Sequence, residues 1–163
     1  MKKLLAYFFV LLFCMSCKKD ESNNPGNSNS TGTAPIDTTY KLANLSFEIK
    51  TFKNTNGQVV VALFNSSSNY SNNIIYKSFI TPVTSTVMKI KFDSIPAGTY
   101  VLSCIHDENS NSVLDQNVFG IPTEGYGFSN NPGITFGQPS FSQVKFTVAE
   151  KDSIKMIVDL IYF

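Results

Sequence analysis

The sequence predicts an all-β protein whose folded part is a two-sheet β-sandwich of about seven strands. Two observations carry this prediction. Short segments in which apolar and polar residues alternate recur at close spacing from Leu45 to Tyr162, with turn-forming residues between them. No segment after residue 40 keeps the 3.6-residue apolar period of a helix for long. These patterns leave two strand orders open, immunoglobulin-like and transthyretin-like.

The predicted strands are separated by recognisable turn signals, and they cover residues 45–50, 58–64, 74–80, 87–92, 99–106, 142–148 and 154–162. Asn56-Gly57 is a dipeptide typical of two-residue hairpins, which predicts that the first two strands pair. The second strand is apolar on both faces, as an interior strand is, whereas the third ends near Pro82 and is predicted at an edge. The residues predicted to share an inward face are Val144, Phe146 and Val148 in the sixth strand, and Ile154, Met156, Val158, Leu160 and Tyr162 in the seventh.

The first 16 residues have the layout of a bacterial lipoprotein signal peptide. Lys2 and Lys3 precede the apolar run 4–13, which is shorter than the roughly 20 residues needed to cross a bilayer. Ser16 then precedes Cys17. In that class of signal, a peptidase cleaves before the cysteine, whose thiol carries a diacylglycerol and whose new amine is acylated by a fatty acid such as palmitate. The alternative is an ordinary signal peptide in which Cys17 is incidental.

The residues around the cysteine add two details. Cys14 and Met15 occupy positions where many lipoprotein signals have leucine and a small residue. The charged run 18–21 resembles the surface-export signals of lipoproteins in Bacteroidetes-type bacteria, although it is equally explained as the start of a solvated tether. We therefore expect an outer-membrane lipoprotein of the cell envelope, on either its periplasmic or its surface face.

The chain divides into three parts: signal peptide 1–16, lipidated cysteine and tether 17–39, and β-sandwich domain 40–163. Asn, Ser, Gly, Thr and Pro dominate residues 21–39, which hold almost no apolar side chain. Such a composition cannot bury enough surface to offset the entropy of ordering, so the tether is predicted to be disordered.

Charge and cysteine usage exclude several classes of function. The net charge is +1, there is no arginine, and the lysines are scattered, so no concentrated basic face is available for nucleic acid. After cleavage at Cys17, Cys104 would be the only thiol of the domain, and its apolar surroundings in the sequence predict a buried, unreactive residue.

About 35 residues with little regular pattern, roughly 106–140, separate the fifth and sixth predicted strands, and a loop of that length is usually functional or mobile. Four oxygen-bearing side chains fall at positions 1, 3, 5 and 9 of a calcium-loop pattern: Asp107, Asn109, Asn111 and Asp115. Ser112 stands where such loops need glycine, and Val118 where they have a bidentate glutamate. The sequence thus leaves open a low-affinity calcium site and a loop of Asx turns that bond their own backbone.

Glycine-punctuated aromatic residues follow in the same loop. Tyr126 and Phe128 are either exposed platforms that stack on a sugar or peptide, with Glu124 and Asn130 as polar contacts, or a plug that holds the loop down. In the second case the neighbouring glycines would adopt conformations closed to other residues.

Several stretches together resemble the secreted bacterial "domain of unknown function 2141" family. These stretches are Val-Ala-Leu-Phe-Asn within residues 60–65, Ala97-Gly98-Thr99-Tyr100, the His-Asp-Glu-Asn-x-Asn run at 106–111, Gly120 to Asn130, Phe136-Gly137-x-Pro139-x-Phe141, and Tyr162. The resemblance covers essentially the whole domain and implies an extracellular β-sandwich, but no activity comes with it. Family members typically have glycine where this chain has Ser110 and Ser112, and a basic residue near Pro132-Gly133.

Two functions remain from the sequence. The first is a non-catalytic envelope module that binds a glycan, a peptide or a partner protein with its 106–140 loop, whose candidate site is His106, Glu124, Tyr126, Phe128 and Asn130. The second is an envelope hydrolase that uses His106, the only histidine, with Asp107 or Glu124 as the carboxylate. A buried His106 with both ring nitrogens bonded would count against the second.

Overall fold

The computed structural model describes residues 41–133 and 137–163. The predicted signal peptide, the lipidated Cys17 and the tether lie outside these residues. Along the described residues the elements are β1 (Ala43–Lys50), β2 (Gln58–Phe64), α1 (Ser67–Ser71), β3 (Lys77–Pro82), β4 (Met88–Ile95), β5 (Gly98–Asp107), β6 (Gly125–Phe128), α2 (Phe141–Val144), β7 (Phe146–Val148) and β8 (Ser153–Asp159).

The strands form two sheets that face each other, which confirms the predicted sandwich. The first sheet has the order β4-β1-β8, with β1 antiparallel to β4 and parallel to β8. The second has the order β3-β2-β5-β6, with β7 also paired to β5. The interior position of β2 and the edge position of β3 are as predicted.

The predicted hairpin between the first two strands is wrong, because β1 and β2 belong to different sheets. Gly57 does adopt the left-handed conformation that its turn signal predicts, with φ at +64°. A Cβ atom at Gly57 would lie 2.0 Å from the backbone oxygen of Asp107. The glycine therefore permits the link between the two sheets to press against the end of β5.

The main core lies between the sheets, and a smaller one covers the outer face of the second sheet. The inner face of β1 contributes Leu45, Phe47 and Ile49, each at most 1% exposed. The smaller core, beneath α1 and α2, consists of Ala62, Phe64, Tyr70, Val101 and Val144. The two short helices, which alternation in the sequence does not reveal, thus cover an apolar sheet face that would otherwise meet water.

The sixth predicted strand is only partly correct. Its first half forms the helical turn α2, and only Phe146–Val148 is a strand. Val144 packs in the smaller core and Val148 in the main one, so these residues do not share a face. In the last strand, Val158 and Leu160 are buried, and the remaining predicted inward residues pack against the main core, which confirms the prediction there.

The ends of several strands meet at one end of the sandwich, which we call the loop end and which holds residues 50–57, 107–124 and 160–163. Hydrogen bonds join its segments, for example from the Leu160 N–H to the Lys50 carbonyl at 3.1 Å. The chain enters the sandwich at the opposite end, where the Lys151 N–H bonds to the Lys41 carbonyl at 3.2 Å. The long loop therefore projects from the end of the sandwich opposite Lys41, where the described chain begins.

Candidate functional site

Asp107 fixes the start of the long loop. Its side chain is 0% exposed at the end of β5. One carboxylate oxygen accepts the Asn111 N–H at 3.0 Å, and the other accepts the Ser112 N–H at 2.8 Å and the Gln58 side-chain amide at 2.7 Å. Three donors converge on one buried carboxylate, and these hydrogen bonds fix the turn by which the chain leaves the strand.

Glu124 fixes the other end of the same loop. Its two carboxylate oxygens accept the backbone N–H groups of Glu108 at 2.9 Å and of Asp115 at 3.1 Å, and the side chain is 5% exposed. Burial raises the pKa of Glu124, and the nearby charges of Asp115 and Asp107 raise it further against the opposing effect of the two N–H donors. The residue thus ties the two sides of the loop together just before β6 begins.

The residues of the predicted calcium pattern form a set of local turns. The Asn109 side-chain oxygen accepts the Asn111 N–H, the Asn111 side-chain oxygen accepts the Val113 N–H, and both side-chain amides donate to Asp115. In the part of the chain that the structure describes, no group of three or more His, Cys, Asp or Glu side chains is placed to hold a metal ion. Calcium binding by Asp107, Asn109, Asn111 and Asp115 stays a prediction.

Ser110 and Ser112 both have φ values in the left-handed region, 62° and 63°. These are the two positions at which the family resemblance expects glycine, a residue that adopts this conformation without steric cost. The chain therefore keeps the tight turns of the loop with serine, at an expected cost of about 1 kcal/mol for each residue.

His106 is not accessible to a substrate in this arrangement. The ring is 0% exposed, and it packs edge-on against Phe52 with centroids 5.0 Å apart. Nε2 bonds to the Asn56 carbonyl at 2.9 Å, so Nε2 carries the proton, and Nδ1 bonds to the Tyr162 hydroxyl at 2.7 Å. With both nitrogens engaged between loops and the C-terminal segment, His106 holds the loop end together, and this geometry counts against the hydrolase hypothesis.

Tyr126 and Phe128 form part of a strand, β6, that the sequence did not predict. Tyr126 is 6% exposed, and its ring stacks on that of Phe163 with centroids 6.2 Å apart. Phe128 is half-buried and packs edge-on to Tyr70 at 6.5 Å. This packing favours the plug over the exposed platform.

The glycines of β6 serve a different purpose from the predicted one. Neither Gly125 nor Gly127 has a positive φ. A Cβ at Gly125 would lie 2.4 Å from the Tyr162 ring, and one at Gly127 would lie 2.9 Å from Val158. Close packing of β6 against the first sheet, rather than a special backbone conformation, excludes larger residues here.

Asn130, the last predicted site residue, is exposed, and its amide donates to the Lys145 carbonyl at 2.8 Å and the Gln143 carbonyl at 3.2 Å. It therefore braces the chain between α2 and β7. Of the predicted site residues, Asp107 and Glu124 come together around the loop, His106 lies at its base, the aromatic pair lies in β6, and Asn130 follows two residues after β6.

The sequence reasoning missed the most exposed apolar residues of the described chain, Val118 and Phe119, at 94% and 83%. They lie in a tight turn, residues 117–121, which we call the tip. The Asn117 side-chain oxygen accepts the N–H groups of Phe119 and Ile121 at 2.9 and 3.1 Å, and the Asn117 carbonyl accepts the Gly120 N–H at 2.9 Å. An Asn followed three residues later by Gly was the available signal, since Gly120 has φ at +77°.

Fold and site together define a β-sandwich domain with one long, internally bonded loop at an end. The chain belongs to the family described as "Uncharacterized protein conserved in bacteria (DUF2141)", whose model matches residues 47–155. The predicted resemblance is thereby confirmed.

Among solved structures, a fimbrial assembly protein from Parabacteroides distasonis is similar at 10% identity with a TM-score of 0.41. The match covers 73% of this chain and 52% of that one, so this chain spans about half the length of that protein. No curated protein matches. None of the helices in the described residues is long and apolar enough to span a membrane.

Proposed function

We propose that this protein is a non-catalytic binding module of the cell envelope, held to the outer membrane by a lipid on Cys17. In this proposal it contacts a partner protein through Val118 and Phe119. The observation that carries the proposal is the exposure of these two apolar side chains, 94% and 83%, on a turn that hydrogen bonds hold in place. A fixed apolar protrusion gains free energy when it enters a pocket and loses little conformational entropy on doing so.

A protein pocket suits this tip better than a glycan does. A sugar site needs free polar side chains around an exposed aromatic face, and beside the exposed ring of Phe119 the Asn117 side-chain oxygen is already bonded to the tip backbone. The aromatic residues predicted for that purpose, Tyr126 and Phe128, are packed into the sandwich. Val118 and Phe119 instead offer a compact apolar pair, and the exposed backbone of the tip supplies polar groups at its rim.

The position of the tip supports its role as a contact site. It belongs to the loop end, whereas the chain enters the sandwich at the opposite end, near Lys41. A tether of residues 17–39 would give the domain a reach of roughly 20–25 Å without fixing its orientation. The lipid anchor rests on the signal-like features of residues 1–17, and incorporation of a palmitate analogue by the wild type but not by Cys17→Ser tests it.

The binding proposal is tested with a tip variant, Val118→Ser/Phe119→Ser, and a matched control, Ile157→Ser. Ile157 is also exposed, at 49%, but it lies on β8 in the first sheet. The wild type and each full-length variant are expressed in the bacterium. The envelope proteins that cross-link to each of them are identified by mass spectrometry and compared. Thermal unfolding of the two variants is measured alongside.

We expect both variants to unfold within a few degrees of the wild type, because exposed side chains contribute little to stability. A specific cross-linked protein should disappear for the tip variant and persist for the control. The proposal is contradicted if the same proteins cross-link to the tip variant as to the wild type.

A further inference from the structure

Within the described residues, the sheet edges formed by β8, β6 and β4 are protected. On β8, the Asn131 side chain covers the edge by donating to the Ile157 carbonyl at 3.2 Å and accepting the Asp159 N–H at 3.0 Å. On β6, Tyr126 and Ile161 exchange backbone bonds of 3.1 and 2.8 Å. Both edges are therefore already occupied by other parts of the chain.

The β4 edge is protected by its shape and charge. Its register against β1 shifts between Phe92 and Ile95, and Ser94 within this bulge has φ at +59°. Lys89, Lys91 and Asp93 place charges along it. Bulges and charged side chains are the usual means by which proteins prevent edge-to-edge pairing.

Within the described residues, the central part of β3, residues 78–81, has none of these protections, and Lys77 and Pro82 lie only at its two ends. Its register against β2 runs without a shift from Gln58–Pro82 to Leu63–Lys77. Residues 78–81 are Ser, Phe, Ile and Thr, with no charge, and Phe79 and Ile80 are 41% and 47% exposed.

The register also shows which backbone groups of β3 point outward. The Val83 N–H bonds to the Gly57 carbonyl at 3.2 Å, which continues the β2–β3 ladder by one pair. Bonded and non-bonded pairs alternate in an antiparallel ladder. Ser78, Ile80 and Pro82 therefore direct their backbone groups away from β2, and Pro82 lies at a position where its missing N–H costs no ladder bond.

We propose that β3 is a dimerisation edge, at which two copies of this chain pair their β3 strands antiparallel about a two-fold axis opposite Phe79. In this register, the N–H and carbonyl of Ser78 meet the carbonyl and N–H of Ile80 in the second copy, and the symmetry doubles these to four bonds. A register centred on Ile80 would instead set Ser78 opposite Pro82, which has no N–H, and would leave the Ser78 carbonyl unpaired.

Three features favour a second copy as the occupant. Ser78 and Ile80 are complementary to each other, so the edge matches itself. Lys77 lies opposite Thr81 of the second copy, which keeps the two lysines apart. Because a two-fold pairing uses the β3 edge of both copies, this pairing ends with two copies.

The test is disulfide cross-linking of the full-length Phe79→Cys variant under mild oxidation. The amount of covalent dimer is compared with that formed by the wild type. In the proposed dimer, position 79 of one copy lies directly opposite position 79 of the other, as a non-hydrogen-bonded antiparallel pair. The Cβ atoms of such a pair are about 4.5–5.5 Å apart, within reach of a disulfide after small shifts. Ile157→Cys, of similar exposure on β8, controls for random collision. Ile80→Cys controls for register, because position 80 lies opposite position 78.

We expect several-fold more covalent dimer for Phe79→Cys than for either control. A second, independent pairing comes from mixing Lys77→Cys with Thr81→Cys, which should yield a mixed dimer even if Phe79→Cys folds poorly. Dimer formation at or below the Ile157→Cys level in both experiments overturns the proposal, and preferential linking at position 80 overturns the register. Neither result bears on the tip, since Val118 and Phe119 are unchanged.

Discussion

The base and the tip of the 108–124 loop differ in which side chains they bury. At the base, Asp107 and Glu124 are 0% and 5% exposed, and each carboxylate accepts at least two hydrogen bonds. At the tip, Val118 and Phe119 are 94% and 83% exposed. The usual distribution of polar and apolar residues is reversed within one loop.

This reversal separates the residues that hold the loop from those that face outward. Buried charges are costly unless they are bonded, and here the bonds come from backbone N–H groups that a loop would otherwise leave unpaired. Chemically reactive residue types are therefore used for structure in this domain. Val118 and Phe119, which face outward, carry no reactive group, which is why we propose binding for the tip.

The largest effect on the free energy of unfolding is expected from removal of the Asp107 carboxylate at the base of the loop. Asp107→Ala leaves the N–H groups of Asn111 and Ser112 and the Gln58 amide without their acceptor, so we expect the free energy of unfolding to fall by about 3 kcal/mol or more. Asp93→Ala, which removes an exposed carboxylate on β4, should change it by less than about 0.5 kcal/mol. Urea unfolding measures both, and equal losses for the two variants would contradict the assignment.

A smaller effect is expected from the pH dependence that Glu124 contributes. Its pKa in the fold lies above the usual value of 4.5, so the folded state binds a proton more tightly than the unfolded state does. Stability from this group is therefore highest at acid pH and falls as pH rises from 4.5 through the folded pKa. Glu124→Gln removes the titration and leaves the other carboxylates in place.

Urea midpoints of the wild type and Glu124→Gln, measured at steps of pH from 4 upward, isolate this contribution. Burial raises the pKa of Glu108, but the bonds from Asn54 and Lys53 and the charge of Lys53 together lower it below its usual value; this contribution is common to both proteins. We expect the wild type to lose stability relative to the variant as pH rises. A constant difference, or a gain by the wild type, would show that burial does not dominate at Glu124.

The contrast between the loop and the sheets also shows what the sequence could predict. β1 and β5 could be predicted from the sequence, because β1 shows the alternation of a strand with one buried face and β5 shows the apolar run of a strand buried on both faces. β6 could not be predicted, because two of its four residues are glycines, and what requires them is close packing against the Tyr162 ring and Val158, both far away in the chain. The Asn56-Gly57 turn signal was real, but the pairing of β1 depends on β8 at the other end of the domain.

For the candidate site, the sequence singled out the 106–140 loop, and the structure buries most of the residues that were selected there. Asp107, Glu124 and His106 attracted attention because their chemistry can serve catalysis or metal binding. Whether such groups face solvent depends on tertiary contacts, such as those of Tyr162 and Asn56 with the His106 ring. Val118 was noted in the sequence only as a departure from the calcium pattern, and the exposure of Val118 and Phe119 was not predicted, since apolar residues are ordinarily expected to be buried.

The central claim, a loop fixed by buried carboxylates that presents an apolar tip, is tested most directly by amide hydrogen exchange in the full chain. The account predicts slow exchange at Ser112, which bonds to Asp107, at Asp115, which bonds to Glu124, and at Ile121, which bonds to Asn117. The Val118 N–H should exchange rapidly, and Asp107→Ala should accelerate Ser112 selectively. Uniformly rapid exchange across residues 108–124 in the wild type, at rates of an unstructured peptide, would contradict it.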